Sequence, residues 1–253
     1  MRPRLVIMVK EPVAGRVKTR LGRDIGMVPA AWWMRHQLAS LVRRLRDPRW
    51  DLVLAVAPDR AVGSRMLPEM TIQVPQGSGT LGDRMALILK GKPKRLNRKH
   101  RAATDPRVAQ SRRPGGRAPL GVCLQTPAGQ CGAARRCRRA GHTSWDSSPT
   151  LITGADIPGI TPAHIARAFH ALGAHDAVIG PAPDGGFWLI GMGTRTPPAT
   201  LFQNVRWSTE HALADTLSTL PGWKIAQIDT LRDVDTAADL PSNRFANDAP
   251  ARA

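Results

Sequence analysis

An α/β fold on a mostly parallel sheet is predicted by three features of this chain. Short runs rich in Val, Ile and Leu alternate with segments carrying a helical apolar period, which is the rhythm of βαβ units. Those runs are continuous rather than alternating, as strands buried on both faces are. The third feature is Leu151-Ile-Thr-Gly-Ala-Asp156, an apolar strand running straight into a carboxylate, with Pro158-Gly159 to stop it. Open α/β sheets keep their chemistry just beyond the carboxyl ends of the strands.

The elements follow in order. Arg4-Leu-Val-Ile-Met-Val-Lys10 reads as a buried strand. Residues 11–21 read as a polar loop, and Pro29 opens a helix to about Arg46 with Met34, Leu38, Leu41 and Leu45 on one face. Asp51–Ala57 and Thr71–Pro75 are the next strands, and Leu81–Leu89 is a helix. A strand from Thr150 to Thr153 feeds Asp156. Thr161-Pro162 is a cap followed by Pro at the first helical position, with Ile165, Phe169 and Leu172 turned inward. Asp176–Gly180 and Phe187–Gly191 are strands, and Asp184-Gly-Gly between them predicts an antiparallel excursion. Ser208 reads as the cap of a helix carrying Leu213, Leu217 and Leu220, and Trp223–Ile228 as the last strand.

Of the 253 residues, 37 are Lys or Arg and 19 Asp or Glu, a formal charge of +18 that suggests nucleic acid until it is mapped. Residues 91–149 hold 14 of the bases and only Asp105 and Asp146 as acids, leaving the rest of the chain at +6, ordinary for an enzyme. That segment keeps no strand or helical period, so it reads as a disordered basic insertion within a 1–240 domain, and 241–253 as a disordered tail. Binding of nucleic acid there is disfavoured, because Trp145 is its one aromatic and single-strand recognition wants stacking platforms. All three cysteines, Cys123, Cys131 and Cys137, lie in it at a spacing that matches no zinc signature, which suggests free thiols in a reducing compartment. The first apolar run, Leu5–Val9, is too short for a signal core or a membrane span, so a cytoplasmic protein is expected.

Three places carry chemistry. Lys10, Arg16, Lys18 and Arg20 surround Gly15 in the loop after the first strand, where nucleotide sites begin, and point to phosphate binding. It is not a Walker A loop, since no glycine directly precedes the lysine. Gly77-Ser-Gly-Thr-Leu-Gly82 matches G-x-G-x-x-G but follows the third strand, with no acid-bearing strand after it; a loop lining a base or sugar fits better than a dinucleotide site. Asp156 suits a divalent metal held against a phosphate, or else initiates a turn. Asp184 is a second exposed carboxylate among glycines, and Asp233 or Asp235 could face the same metal. Thr236-x-x-Asp239 reads as a capping box, making Asp239 structural, and His164, His170 and His175 read as surface residues.

Five motifs in this order, Lys10–Leu21, Gln76–Met85, Gly154–Gly159, Gly180–Gly191 and Val205–Thr209, closely resemble the DUF2064 family. Members of that family are GT-A-like and are often described as arsenosugar-biosynthesis or selenodomain-associated glycosyltransferases, similar in turn to molybdenum-cofactor and phospholactate nucleotidyltransferases. The resemblance spans 1–90 and 150–240, and 91–149 departs from the family's usual short connection. It implies a three-layer nucleotide-diphospho-sugar transferase sandwich, and a nucleotide sugar or NTP donor bound with Mg²⁺ or Mn²⁺. A small acceptor completes the reaction, with nucleotidyl transfer as the alternative to glycosyl transfer. It further implies that Lys10, Gly15, Arg16, Lys18 and Arg20 hold phosphates and that Gln76, Gly77, Gly79 and Gly82 lie near base or ribose. Asp156 and Asp184 become the catalytic carboxylates, with Asp156 and Asp235 as metal ligands.

Overall fold

The computed structural model describes residues 2–69, 71–91 and 148–240. The basic segment, its cysteines and the tail from 241 therefore lie outside the described residues, apart from Gly91 and residues 148–149. In chain order the elements are β1 (Arg4–Lys10), α1 (Thr19–Ile25), α2 (Met27–Arg44), β2 (Asp51–Ala57), β3 (Ile72–Pro75), α3 (Leu81–Leu89), β4 (Thr150–Gly154), α4 (Pro162–Ala171), β5 (Ala177–Pro181), β6 (Phe187–Met192), α5 (Ala212–Ser218) and β7 (Ile225–Gln227). Single 3₁₀ turns cover Asp59–Ala61 and Ala237–Asp239.

The seven strands form one sheet in the order β3-β2-β1-β4-β6-β5-β7. Every pairing is parallel except those of β6, which runs against both β4 and β5. The excursion expected at Asp184-Gly-Gly is this β5–β6 hairpin. Continuous apolar strands are buried on both faces: Leu5, Val6 and Ile7 are each fully covered. Leu5, Ile7, Leu54, Leu151 and Val178 share a core cluster with Leu38 and Leu41 of α2, its C-cap Leu45, and Ile165 and Ala168 of α4. Each such aliphatic side chain contributes roughly 1.5–3 kcal/mol when taken from water.

The local differences from the sequence reading have physical causes. The first loop ends at Lys18, not Leu21, because α1 begins at Thr19. Gly26, at φ 97°, then separates α1 from α2, which starts at Met27 rather than Pro29. Gly22 permits that junction, since a Cβ there would stand 3.3 Å from the Met27 backbone. Ser208 does not cap a helix; it sits at φ 62° in a loop, and α5 begins four residues later with His211 at its N-cap. The capping box expected at Thr236–Asp239 and the Pro-led start at Thr161 are both present, with the His164 ring closing the latter. Among the described residues no helix is long and apolar enough to cross a membrane.

Candidate functional site

Parallel strands β3, β2, β1 and β4 all end on the same edge of the sheet, and two hollows open there. The first, of about 780 Å³, is lined by Lys10 at the end of β1, Gly15 and Arg16 of the first loop, Arg60 after β2, Gly77 and Gly79 after β3, and Arg84 of α3. Four cations and no carboxylate line it among the described residues. Gly15, Gly77 and Gly79 have φ of 75°, 85° and 105°, a backbone region that side chains rarely adopt, so glycine at these turns is a conformational need. The Gly77 amide donates to Asp59 Oδ1 at 2.9 Å. Thr80 and Asp83 close a capping box at the start of α3, and the Thr80 hydrogen bonds hold the Asp83 carboxyl below its usual range.

Gln76 serves this hollow indirectly. Its buried amide nitrogen donates to the carbonyls of Val9 (3.1 Å) and Ala55 (2.8 Å), tying β3's exit to β1 and β2. Its oxygen accepts from Arg84 at 2.6 Å and so aims that guanidinium. Gly82 likewise faces protein: a Cβ there would lie 2.7 Å from Phe202 Cβ and 3.1 Å from the Trp207 ring, so its smallness lets α3 approach the 202–207 loop.

The second hollow, of about 230 Å³, lies beyond β4 and the β5–β6 hairpin and is lined by Asp156, Asp184 and Asp233 among apolar and aromatic side chains. Asp184 sits in the hairpin turn with Oδ1 accepting from the Gly186 amide at 2.9 Å. Asp233 is brought beside Asp156 because the Val234 amide donates to the Asp156 carbonyl at 3.1 Å and the Leu231 amide to the Pro181 carbonyl at 3.2 Å. Val234 is then buried against Leu21 and Ala30.

Lys18 lines neither hollow but carries the basic loop's charge to the carboxylates. It follows Arg16 and precedes Thr19, both on the basic side, yet its ammonium lies 2.6 Å from Asp156, 3.2 Å from Asp235 and 3.8 Å from Asp233. Its side chain is only 9% exposed, and its backbone is held at φ 45°, an uncommon conformation for a residue with a Cβ. Burial alone would lower the Lys18 pKa, but the charges of Asp156, Asp235 and Asp233 outweigh it and hold the ammonium above its ordinary value. Asp233 is raised, first by burial and then by the neighbouring Asp156 charge, against the opposing pull of Lys18.

Of the residues singled out in the sequence, Lys10, Gly15, Arg16, Gly77 and Gly79 meet at the basic hollow, and Asp156 and Asp184 at the acidic one. Arg20, largely exposed, pairs with Asp235 at 2.7 Å, and Lys18 takes the other oxygen of that carboxylate. Asp235 is therefore engaged by two cations, while Asp233 is the partner of Asp156 along the cavity wall. Arg60 and Arg84 carried no role in the sequence reading. Their signal was position, since one follows the carboxyl end of β2 and the other lies in the Gln76–Met85 motif. Among the described residues no three His, Cys, Asp or Glu are gathered as a ready-made metal cage.

The model of the DUF2064 family, described as an uncharacterized protein conserved in bacteria, matches residues 105–209. Three of the five motifs lie within that match; those at Lys10–Leu21 and Gln76–Met85 precede it, and the match also enters the basic segment. No curated protein matches the chain. A Desulfovibrio desulfuricans G20 protein, described as a candidate nucleotide-diphospho-sugar transferase, is 22% identical, with 93% of this chain and 84% of that one covered and a TM-score of 0.64. The 4-diphosphocytidyl-2C-methyl-D-erythritol synthase of Anaerococcus prevotii DSM 20548 is 11% identical over 94% of each chain, at a TM-score of 0.47. The manganese complex of Rv0371c from Mycobacterium tuberculosis H37Rv is 14% identical over 94% of this chain and 96% of that one, at 0.41. The last two are too distant to carry an argument. The first shows the fold alone, a GT-A-like α/β sandwich.

Proposed function

We propose that this chain is a transferase using a nucleotide-activated donor, and that it moves a glycosyl group from a nucleoside diphosphate sugar to a small acceptor. The observation that carries the reading is the separation of charge at one sheet edge: a hollow lined by four cations, and beside the end of β4 a cavity lined by three carboxylates. Diphosphate oxygens suit the first, where Lys10, Arg16, Arg60 and Arg84 supply charge-assisted hydrogen bonds and Gly77 and Gly79 let a base or ribose approach the backbone. The fold places ligands at this edge generally.

The carboxylates suit a divalent ion by the chemistry of their donors. Mg²⁺ takes hard oxygens from one or two carboxylates and completes its shell with phosphate and water, so a full protein cage is not required. Asp156 and Asp233 would hold it, since both line the cavity, where Lys18 now pairs with them; Asp235 does not line it and is tied to Arg20 as well. Bound there, Mg²⁺ or Mn²⁺ would neutralise charge on the departing diphosphate. In the transfer an acceptor hydroxyl oxygen bonds to the anomeric carbon, whose bond to the diphosphate oxygen breaks, and the hydroxyl proton passes to Asp184 at the cavity rim.

Thermal-shift and calorimetric titration of nucleoside diphosphate sugars and NTPs, with and without Mn²⁺, test this reading. A donor at 100 times its Kd should add about 2.7 kcal/mol of stability. Free nucleoside diphosphate released in the presence of acceptor supports glycosyl transfer, whereas pyrophosphate released from an NTP selects the nucleotidyl alternative. Absence of binding by every nucleotide would refute the proposal.

A further inference from the structure

The acidic cavity has a chemistry of its own that goes to the acceptor. Its apolar walls are aromatic on one side. Trp207 stands edge-on to Phe187 with ring centroids 6.1 Å apart, and packs on Phe202 at 5.7 Å. The missing side chain of Gly82 leaves room for that group. Ser208, at φ 62°, turns the chain immediately after Trp207. Met85 of α3 and Ile190 of β6 complete the apolar lining.

The charged lining is one-sided, beside the hydroxyls of Thr153, Ser208 and Thr209. Asp156, Asp184 and Asp233 contribute carboxylates, and no Lys, Arg or His lines the cavity among the described residues. The nearest guanidinium in sequence, Arg206, is drawn off by Asp215 through two contacts of 2.8 Å. One ammonium, Lys18, reaches Asp156 and Asp233, so the three carboxylates remain in excess.

We infer that this cavity selects the acceptor by charge and shape: a small hydroxylated molecule with one flat apolar face, uncharged or cationic, to the exclusion of phosphorylated and carboxylated acceptors. The volume agrees, because a cavity of about 150 Å³ accommodates benzene and about 230 Å³ leaves room for one substituted six-membered ring. A flat face lies against Phe187 and Trp207, as ring faces do against aromatics. An anion entering here would meet three carboxylates against the single Lys18 ammonium, a net repulsion that specificity by like charge exploits. The inference rests on the reading of this cavity as the acceptor side; with a divalent ion on Asp156 and Asp233, Asp184 is the lining carboxylate left to repel an anionic acceptor.

Three ring compounds of matched size test it in the full-length protein without donor or metal: tyrosol (neutral), tyramine (cationic) and 4-hydroxyphenylacetate (anionic). Calorimetric titration at low ionic strength should give tyrosol and tyramine a Kd at least about ten-fold below that of the anion. Asp184→Asn and Asp233→Asn should each narrow the gap, with circular dichroism confirming that the variants fold; in the first of them the new side-chain amide oxygen can still accept from the Gly186 amide. Trp207→Ala should weaken all three ligands together. Equal or tighter binding of the anion, or no binding of any probe up to its solubility, would overturn the inference. Because donor is absent, failure here is distinguishable from failure of the transferase reading. Charge-selective binding without any nucleotide binding would sink only the latter.

Discussion

Lys18→Met removes the ammonium beside Asp156, Asp233 and Asp235 while keeping an aliphatic stem of similar length. Breaking a buried ion pair by deleting one partner usually costs about 3–5 kcal/mol, since the remaining charge is stranded. Here the Lys18 side chain is 9% exposed, but its partners Asp156, Asp233 and Asp235 are 28%, 36% and 41% exposed, so water screens part of the loss. We therefore expect about 2 kcal/mol, or a fall in Tm of about 4–8 °C for a domain of this size. The pH dependence follows from the signs. The Lys18 pKa is raised, so its contribution is fully present below the unfolded value and is lost only as pH rises through the higher folded value. Asp233 already protonates above the usual carboxylate range, chiefly through burial and then Asp156, and without Lys18 it should do so higher still. Lowering the pH neutralises the stranded Asp233 carboxylate, so the deficit of the variant should shrink as pH falls from neutral through that raised value. Urea unfolding of both proteins across that range is the measurement. A deficit that stays constant, or wild-type stability at neutral pH, would refute the idea that this ammonium compensates the three carboxylates.

Asp156→Asn should leave the fold intact and abolish Mn²⁺-dependent donor binding, since the amide fits the turn but supplies no negative oxygen; calorimetry with and without Mn²⁺ reads this directly. Gln76→Leu removes both donors to the Val9 and Ala55 carbonyls and the acceptor for Arg84, and should cost about 2–3 kcal/mol in unfolding titrations while weakening nucleotide affinity. Hydrogen bonds from Thr236 hold the Asp239 pKa down to about 2, so the cap at Ala237–Asp239 should persist at neutral pH and be lost as pH falls through that value. Amide exchange at Asp235 and Thr236, whose amides donate to Asp239, reports it, and exchange that accelerates near the ordinary carboxylate pKa instead would contradict the assignment.

What the sequence determined by itself was local. Continuous apolar runs at Leu5–Val9 and Leu151–Thr153 can satisfy their burial only as inner strands, and Thr161-Pro162 only as a helix start, because those signals act over a few residues. Asp156 was legible because a strand ended on it. Glycines at 15, 77 and 79 were legible because they stand in loops that follow strands, and their positive φ is a region that residues with a Cβ rarely adopt. Arg60 and Arg84, by contrast, look like any surface arginine until β2 and β3 end side by side. Gln76 looks like a ligand residue until its amide is found on two strand carbonyls. Asp233 and Asp235 are two residues apart and chemically alike. Only the hydrogen bonds that seat 231–234 against β4 and β5 put the first on the cavity wall and leave the second between Lys18 and Arg20. Contacts across more than 200 residues, such as Lys18 with Asp235, are set by chain crossings and by the balance of burial against charge. A linear pattern carries neither, so the fold class could be read from the chain while the pairing of its carboxylates with their cation had to come from the tertiary structure.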